Sequence, residues 1–260
     1  MSGVAAAGEA MPSGAVHATV ADGMHTLWLN RGQRGNALSA EMVEALIAGV
    51  ERACADPAAR LLVLRTSAAH LCTGFDLTGL DEQSDADLLL RFVRIETLLS
   101  MLWNAPVRTL AIAGGRTWGA GADIFVACDE RWILPQASFR FPGAAFGIVL
   151  GSRRLAERIG TSQARRLIAS GATMSGEDAL TCGLAGRAIS AAELESALTE
   201  EASALRLDAP TYAAVSRATR NDQSDTDLAA LVRSASAPGL AKRLRAYRDH
   251  VNAVKTRAPL

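Results

Sequence analysis

The feature of this sequence that most constrains the fold is a short apolar strand that recurs before a glycine-containing turn. Residues 60–65 (RLLVLR) and 108–112 are the two strands. An apolar strand of this kind is typical of a parallel sheet covered on both faces. Between them, residues 85–103 place leucines at helical spacing, and the Asn-Ala-Pro turn at 104–106 ends that helix. Because strand and helix alternate, the sequence predicts an α/β fold with right-handed crossovers.

Patterns before and after this region predict a hairpin and a run of short helices. Residues 16–20 and 24–29 alternate apolar and polar around Ala-Asp-Gly, which is a β-hairpin pattern. Ser39 is a candidate N-cap for the helix that follows it. After residue 151, short helices punctuated by glycines are predicted, and residues 236–253 form a basic helix at the end.

Composition excludes several classes of protein. The 260 residues are 49% apolar and 21% charged, with 27 basic and 27 acidic side chains. A balanced charge gives no field that would attract nucleic acid or an anionic membrane. The four cysteines have no metal-ligand spacing, and we expect reduced thiols and no metal. No signal peptide and no apolar run of about 18 residues is present, so a cytoplasmic protein without membrane contact is expected.

Two segments carry the chemistry, residues 70–77 (HLCTGFDL) and 113–129, and each follows a predicted strand. Turns that open into a helix leave backbone N–H groups without intrahelical partners. Two such donors that converge would bind a developing oxyanion. The alternative is that the glycines only make tight turns. Neither segment fits a Walker loop or a dinucleotide-binding fingerprint, and the chain has no GxSxG or HExxH motif.

Taken in order, five segments resemble the crotonase (enoyl-CoA hydratase/isomerase) superfamily. They are RGQRGNALSAEM (31–42), HLCTGFDL (70–77), GAGADIFVACDERW (119–132), SFRFPGAAFGIVLG (138–151) and PGLAKRLRAY (238–247). The resemblance implies a spiral of ββα repeats over residues 15–200, after a flexible tail at 1–14. It also implies a helical region over 201–260 that forms trimers, usually paired into hexamers.

The resemblance further implies a bound acyl-CoA thioester, with no cofactor beyond the CoA of the substrate. Its carbonyl oxygen would accept hydrogen bonds from the backbone N–H groups of Phe75 and Ala120. Ala120 stands where the family usually has the middle glycine of three. Residues that would line the substrate site are Asn36, Ala37, Leu38, Cys72, Gly74, Trp118 and Gly143. The basic terminal helix is a candidate contact for the CoA phosphates, with a solvated helix face as the alternative.

The acid/base positions depart from the family. Hydratases of this family use two glutamates, and here the first position is Asp123 and the second is Gly143. A third position, acidic in some relatives, falls near Gly151. This pattern argues against ordinary hydration, because losing a general acid or base costs about 10²–10⁴-fold in rate. Isomerisation through Asp123, decarboxylation and thioester hydrolysis remain open, as does a catalytically weak acyl-CoA-binding paralogue.

Several side chains have both a structural and a functional interpretation. Asp123 is either the acid/base group or a carboxylate that stabilises the start of its helix. His70 and Arg116 are either additional polar groups of the site or surface residues. Trp118 and Phe146 are either part of the acyl pocket or plain core. Small residues at 143–145 would leave room for a bulkier acyl group.

Overall fold

The computed structural model describes residues 14–204 and 206–257, with side chains described as far as residue 253. Its strands form two sheets. The larger sheet has the order β1-β2-β3-β4-β6-β9, antiparallel between β1 and β2 and parallel elsewhere, and the smaller has the order β5-β7-β8. The strands are β1 (Val16–Ala21), β2 (Met24–Leu29), β3 (Leu61–Arg65), β4 (Arg108–Ala113), β5 (Arg116–Trp118), β6 (Glu130–Ile133), β7 (Ser138–Arg140), β8 (Met174–Ser175) and β9 (Arg187–Ala188).

Helices cover the larger sheet and fill the second half of the chain. They are α1 (Ala40–Ala55), α2 (Asp85–Trp103), α3 (Ala120–Ala127), α4 (Ser152–Ile159), α5 (Thr161–Ser170), α6 (Gly176–Thr181), α7 (Leu194–Ala204), α8 (Ala209–Thr219), α9 (Ser224–Ala235) and α10 (Leu240–Arg257). A mixed α/β fold is confirmed. Strand and helix alternate through the first half of the chain, as predicted.

The predicted hairpin and the predicted starts of α1 and α2 are confirmed. Strands β1 and β2 pair from Val16↔Leu29 onward, and Asp22 and Gly23 turn the chain with positive φ of 49° and 75°. Ser39 caps α1, since its side chain accepts a hydrogen bond of 3.2 Å from the Met42 N–H. Helix α2 has the predicted limits, with a capping box at Ser84.

The buried strand β3 shows why the parallel sheet was predictable. All five of its residues are buried, so neither face of the strand meets water. One core cluster packs α1, α2 and α3 against the sheet, and a second joins α2 to α9 and α10. Helix α2 therefore lies between the sheet and the C-terminal helices.

The last helix begins later than predicted. It starts at Leu240, not at residue 236, and α9 ends before it at Ala235. The carboxylate of Asp85 sets this start, because it accepts hydrogen bonds from the N–H groups of Gly239, Leu240 and Ala241 at 2.9, 3.1 and 2.7 Å. A carboxylate at a helix start is favourable, and this one comes from a residue that is distant in sequence. The 236–253 prediction was wrong at that end.

The predicted domain limits stay a prediction. Most of the proposed tail, residues 1–13, lies outside the described residues, and α7 runs across the proposed limit at residue 200. Within the described ranges, no helix is both long and apolar enough to cross a bilayer. All four cysteines are unpaired.

Candidate active site

Two turns, one after β3 and one between β5 and α3, meet at Gly74. Gly74 has a φ of +100°, and a Cβ there would lie 2.9 Å from the Trp118 carbonyl oxygen and 3.6 Å from the Ala120 nitrogen. Only glycine combines this backbone angle with so close an approach. A bridge between Cys72 and Thr117 holds the two segments side by side, and a bridge between Leu38 and Phe75 joins the first segment to the loop before α1.

The N–H groups of Phe75 and Ala120 are both available at this junction. Ala120 is the first residue of α3, so its N–H has no intrahelical acceptor. Among the backbone hydrogen bonds formed by the described residues outside regular helices and strands, none uses either donor. Both residues line one cavity of ≈820 Å³. Such donors are suited to an anionic oxygen.

The side chain of Phe75 is fixed from both sides. Its ring stacks on Phe92 at 4.4 Å between centroids, and the Arg91 guanidinium lies 3.9 Å from its centroid. Arg91 also donates a hydrogen bond of 2.8 Å to the Asp76 carbonyl oxygen, next to Phe75 in the chain. These contacts from α2 hold the Phe75 amide in place. The sequence did not indicate this role of Arg91, because helical spacing does not show which loop a helix will face.

Asp123 is the buried carboxyl of the cavity. It lies in the first turn of α3, is 6% exposed, and lines the cavity beside Ala120. Burial raises the pKa of Asp123 well above its ordinary range, and the nearby Glu96 carboxylate raises it further, while Arg154 opposes the shift. Burial and the nearby carboxylate therefore both favour the neutral form of Asp123.

An ion pair lies beneath Asp123, between α2 and α4. Arg154 and Glu96 are 0% and 2% exposed and join through two hydrogen bonds of 2.6 and 3.2 Å. Arg154 also lies 3.2 Å from Asp227 on α9. A buried pair of this kind is costly to break, because removing one partner leaves the other charge uncompensated. The sequence did not point to this pair, whose members are 58 positions apart.

Gly143 and Gly151 stand where acids were expected from the family resemblance, and both border the site. Gly143 lines the cavity, and Gly151 packs directly against the carboxyl of Asp123. Among the described lining residues, the carboxyl groups are those of Asp76 and Asp123. Asp76 is engaged in an ion pair of 2.9 Å with Arg31. Of these two carboxyl groups, Asp123 is the one without an ion-pair partner in the described part of the chain.

Comparison with known proteins identifies the fold and its family. A model of the enoyl-CoA hydratase/isomerase family matches residues 19–237. The chain belongs to the enoyl-CoA hydratase/isomerase family. The structure superposes on a crystal structure from Bordetella parapertussis, provisionally named an enoyl-CoA hydratase/isomerase, with a TM-score of 0.88 and 41% identity. The match covers 90% of this chain and 98% of that one.

More distant relatives carry related names. The probable enoyl-CoA hydratase echA6 of Mycobacterium tuberculosis is 31% identical over 65% of this chain and 68% of its own length. Human mitochondrial methylglutaconyl-CoA hydratase is 28% identical over 62% of this chain and 49% of its own length. An enoyl-CoA hydratase structure from Bacillus halodurans, at 22% identity and a TM-score of 0.80, shares the fold.

The structure places some of the predicted catalytic and substrate-binding residues at the cavity and not others. Phe75, Ala120, Asp123, Gly74, Trp118 and Gly143 all line it. Asn36, Ala37, Leu38 and Cys72 do not, and the side chains of Asn36, Leu38 and Cys72 are buried. Asn36 instead holds its loop, donating hydrogen bonds of 3.0 Å to Thr66 and 2.9 Å to the His70 carbonyl. Residues 32–35 line the cavity in their place.

The remaining candidates also lie at the cavity. His70 and Arg116 both line it, and the Arg116 N–H donates to the Nδ1 atom of His70 at 3.2 Å. Phe146 packs against Tyr247 of α10 at 4.8 Å between ring centroids. At least one basic residue of α10 forms an ion pair within the chain, since Arg248 pairs with Asp81 at 2.7 Å. No group of side chains suited to holding a metal occurs within residues 14–204 and 206–257.

Proposed function

We propose that the protein binds an acyl-CoA thioester and isomerises its double bond, with Asp123 as the group that moves the proton. The N–H groups of Phe75 and Ala120 bind the thioester oxygen as negative charge develops on it. The observation that carries this proposal is the number of available carboxyls at the cavity. Asp123 is one, and glycines occupy the two positions, 143 and 151, where another acid would stand.

A single carboxyl is sufficient for a 1,3-proton shift. Starting from a 3-enoyl thioester, the Asp123 carboxylate takes a proton from C2, and the electron pair moves onto the thioester oxygen as a dienolate. The amides of Phe75 and Ala120 stabilise that oxygen. Asp123 then returns the proton to C4, which leaves the double bond between C2 and C3. No water molecule is consumed and no other acid is required.

Hydration is less well suited to this site. It needs one group to activate water and another to protonate the α-carbon, and each contributes about 10²–10⁴-fold. Gly143 has no side chain for the second role. The hydratase names of the relatives in Mycobacterium tuberculosis and human mitochondria are therefore not carried over as the reaction of this chain.

The raised pKa of Asp123 is consistent with this proton transfer. A carboxylate whose pKa is raised is a stronger base, and the C2 proton of a thioester is only weakly acidic. Because a raised pKa leaves less of the carboxylate ionised at a given pH, turnover should rise as the pH approaches that pKa. Burial thus makes the Asp123 carboxylate a stronger base but lowers the fraction of molecules in which Asp123 is ionised.

The same burial supports a second candidate, a catalytically weak acyl-CoA-binding protein. A neutral Asp123 accepts no proton, and the two amides alone would still bind a thioester oxygen. Decarboxylation and thioester hydrolysis of an unusual CoA ester need the oxyanion donors and few acids, and they belong to the same alternative. The proposal includes no metal or redox cofactor, since CoA enters with the substrate. A homotrimer, or a dimer of trimers, is the proposed assembly.

The experiment compares two reactions of the purified protein. One assay follows conversion of a 3-enoyl-CoA to the conjugated 2-enoyl-CoA by the absorbance of the conjugated thioester. The other follows loss of that absorbance as crotonyl-CoA is hydrated. We expect isomerisation to exceed hydration by about 10²-fold or more, the contribution of one missing acid/base group. Rapid hydration would overturn the proposal, and binding without either reaction would favour the second candidate.

A further inference from the structure

Two arginines lie beside one tryptophan on the smaller sheet. Arg116 and Trp118 are two residues apart on β5, so their side chains share one face of the strand, and Arg140 of β7 is the register partner of Trp118. The guanidinium carbons lie 5.3 Å (Arg116) and 5.9 Å (Arg140) from the indole centroid. All three side chains belong to residues that line the cavity.

Neither arginine meets a carboxylate in the described part of the chain. Arg116 forms no ion pair there, and its guanidinium rests against Trp118. Arg140 uses its Nε to donate a hydrogen bond of 2.8 Å to the Gly171 carbonyl, which leaves its two terminal nitrogens available. Arg248, a further arginine of the cavity, differs because it is paired with Asp81. Two cations at the cavity wall thus have no acidic partner in this region.

The acids of the cavity do not compensate these charges. Asp76 is already paired with Arg31, and the buried Asp123 forms no ion pair with Arg116 or Arg140 in the described part of the chain. Arg34 adds a further cation to the lining. The wall formed by β5 and β7 is therefore electropositive, although the whole chain has a formal net charge of zero. A local field of this sign favours a ligand with a negative group.

Trp118 orders the guanidinium groups of the two arginines in an arrangement that suits a flat or tetrahedral anion. Its indole N–H donates a hydrogen bond of 3.3 Å to the Ser138 hydroxyl, which fixes the orientation of the ring. An arginine against an aromatic ring keeps its planar set of N–H donors ordered. Ordered guanidinium groups bind carboxylate and phosphate oxygens through paired hydrogen bonds.

We infer that Arg116 and Arg140 form an anion-binding subsite beside Trp118, which takes a carboxylate or phosphate of the bound thioester. The inference rests on the proposed function, because the anion must arrive as part of an acyl-CoA. It adds to that function a substrate class, acyl-CoA thioesters whose negative group reaches the β5–β7 wall.

The test measures the affinity of the wild-type protein and of variants for three thioesters by calorimetry. Glutaryl-CoA has a distal carboxylate, valeryl-CoA has the same chain length without it, and valeryl-pantetheine lacks all the phosphates. The principal variant is Arg116→Gln, because the Arg116 side chain makes no hydrogen bond to the described residues. Arg140→Gln and Arg140→Lys form a second pair, in which lysine retains the charge. Arg165→Gln, an exposed residue of α5 outside the cavity, is the matched control.

We expect Arg116→Gln and Arg140→Gln to weaken the binding of each thioester that carries the recognised anion. The expected loss of affinity is about ten- to hundred-fold, the range of an ionic hydrogen bond. Arg140→Lys should recover part of that loss, and Arg165→Gln should change nothing. A loss confined to glutaryl-CoA identifies the acyl carboxylate as the anion. An equal loss for both CoA esters, absent for valeryl-pantetheine, identifies a phosphate.

Unchanged affinities for all three thioesters in both arginine variants would overturn the subsite. That result differs from failure of thioester binding, the first step of the proposed function, in which the wild-type protein would bind none of the thioesters. A loss that is equal for valeryl-pantetheine would also overturn the subsite, since that ligand carries no anion.

Discussion

The carboxyl of Asp123 lies directly against the α-carbon of Gly151. A Cβ at Gly151 would overlap the Oδ1 atom of Asp123 and lie 2.9 Å from its Cβ, and the backbone there has a φ of +60°. The glycine therefore leaves the space that the buried carboxyl occupies. Two segments far apart in sequence, the start of α3 and the turn before α4, must fit each other at this point.

Gly151→Ala should destabilise the protein and displace Asp123. The left-handed backbone alone costs a residue with a Cβ about 1–2 kcal/mol, and the overlap with Oδ1 adds to this. In the double variant, Asp123→Ala should restore part of the lost stability, because it removes the carboxyl that the new methyl meets. Urea unfolding of the wild type, both single variants and the double variant gives the coupling free energy between the two residues. Effects that add within about 0.5 kcal/mol would show that the two residues do not interact.

Gly143→Glu should introduce hydration activity. A Cβ at this position lies 3.2 Å from the Ile148 carbonyl oxygen, so a small local shift accommodates a side chain at the cavity wall. The new carboxyl would supply the second acid/base group, and we expect crotonyl-CoA hydration to rise by about ten-fold or more. Gly143→Gln has the same size without the acid and should show no gain. An equal gain in both variants would contradict the role assigned to the carboxyl.

Asp123→Asn should stabilise the fold, and increasingly so as the pH rises. The pKa of Asp123 is raised in the folded state, so above the ordinary Asp pKa of about 3.9 the folded state binds more protons than the unfolded state. Wild-type stability therefore falls as the pH rises from that ordinary pKa towards the raised one, by about 1.4 kcal/mol per pH unit. Asparagine does not titrate and escapes this loss. Denaturant unfolding of both proteins from acidic to neutral pH measures the difference, which should be smallest at the acidic end. A difference that shrinks with rising pH would contradict the raised pKa.

Glu96→Gln should move the pH dependence of turnover to lower pH. The Glu96 carboxylate raises the pKa of Asp123 and Arg154 lowers it, so removing the negative charge leaves the attraction to arginine. The variant is also expected to lose stability, since Arg154 loses its closest partner. The measurement is kcat against pH for isomerisation. Glu157→Gln, which removes a carboxylate paired with Arg153 elsewhere in the same network, is the control. A midpoint that stays fixed or rises in Glu96→Gln would contradict the coupling.

The sequence predicted the elements that depend on local patterns. The apolar run of β3, the spacing of leucines in α2 and the cap at Ser39 each depend on neighbouring residues, and all three are present. Strands β5, β7, β8 and β9 have only two or three residues each, too few for a recognisable alternation, and they were not predicted. The start of α10 depends on Asp85, which is over 150 positions away.

The residues of the candidate site also divide into those that the local sequence indicates and those that it does not. Glycine-rich turns at 70–77 and 113–129 indicated where backbone donors lie, and the family resemblance indicated that they converge. Nothing local indicated that Glu96, inside an apolar helix pattern, would meet Arg154, or that Gly151 would contact Asp123. Asn36 was expected at the substrate, but its side chain satisfies buried polar groups of its own loop. Such contacts follow from the tertiary arrangement of segments and not from their sequences.

Whether Asp123 transfers the proton is tested by comparing the wild type with Asp123→Asn. The measurement is isomerisation of a 3-enoyl-CoA at saturating substrate, together with calorimetric binding of the same thioester. We expect kcat to fall by about 10²–10⁴-fold while the dissociation constant stays within about two-fold, because the N–H groups of Phe75 and Ala120 remain. An Asp123→Asn variant with wild-type kcat would show that Asp123 does not transfer the proton.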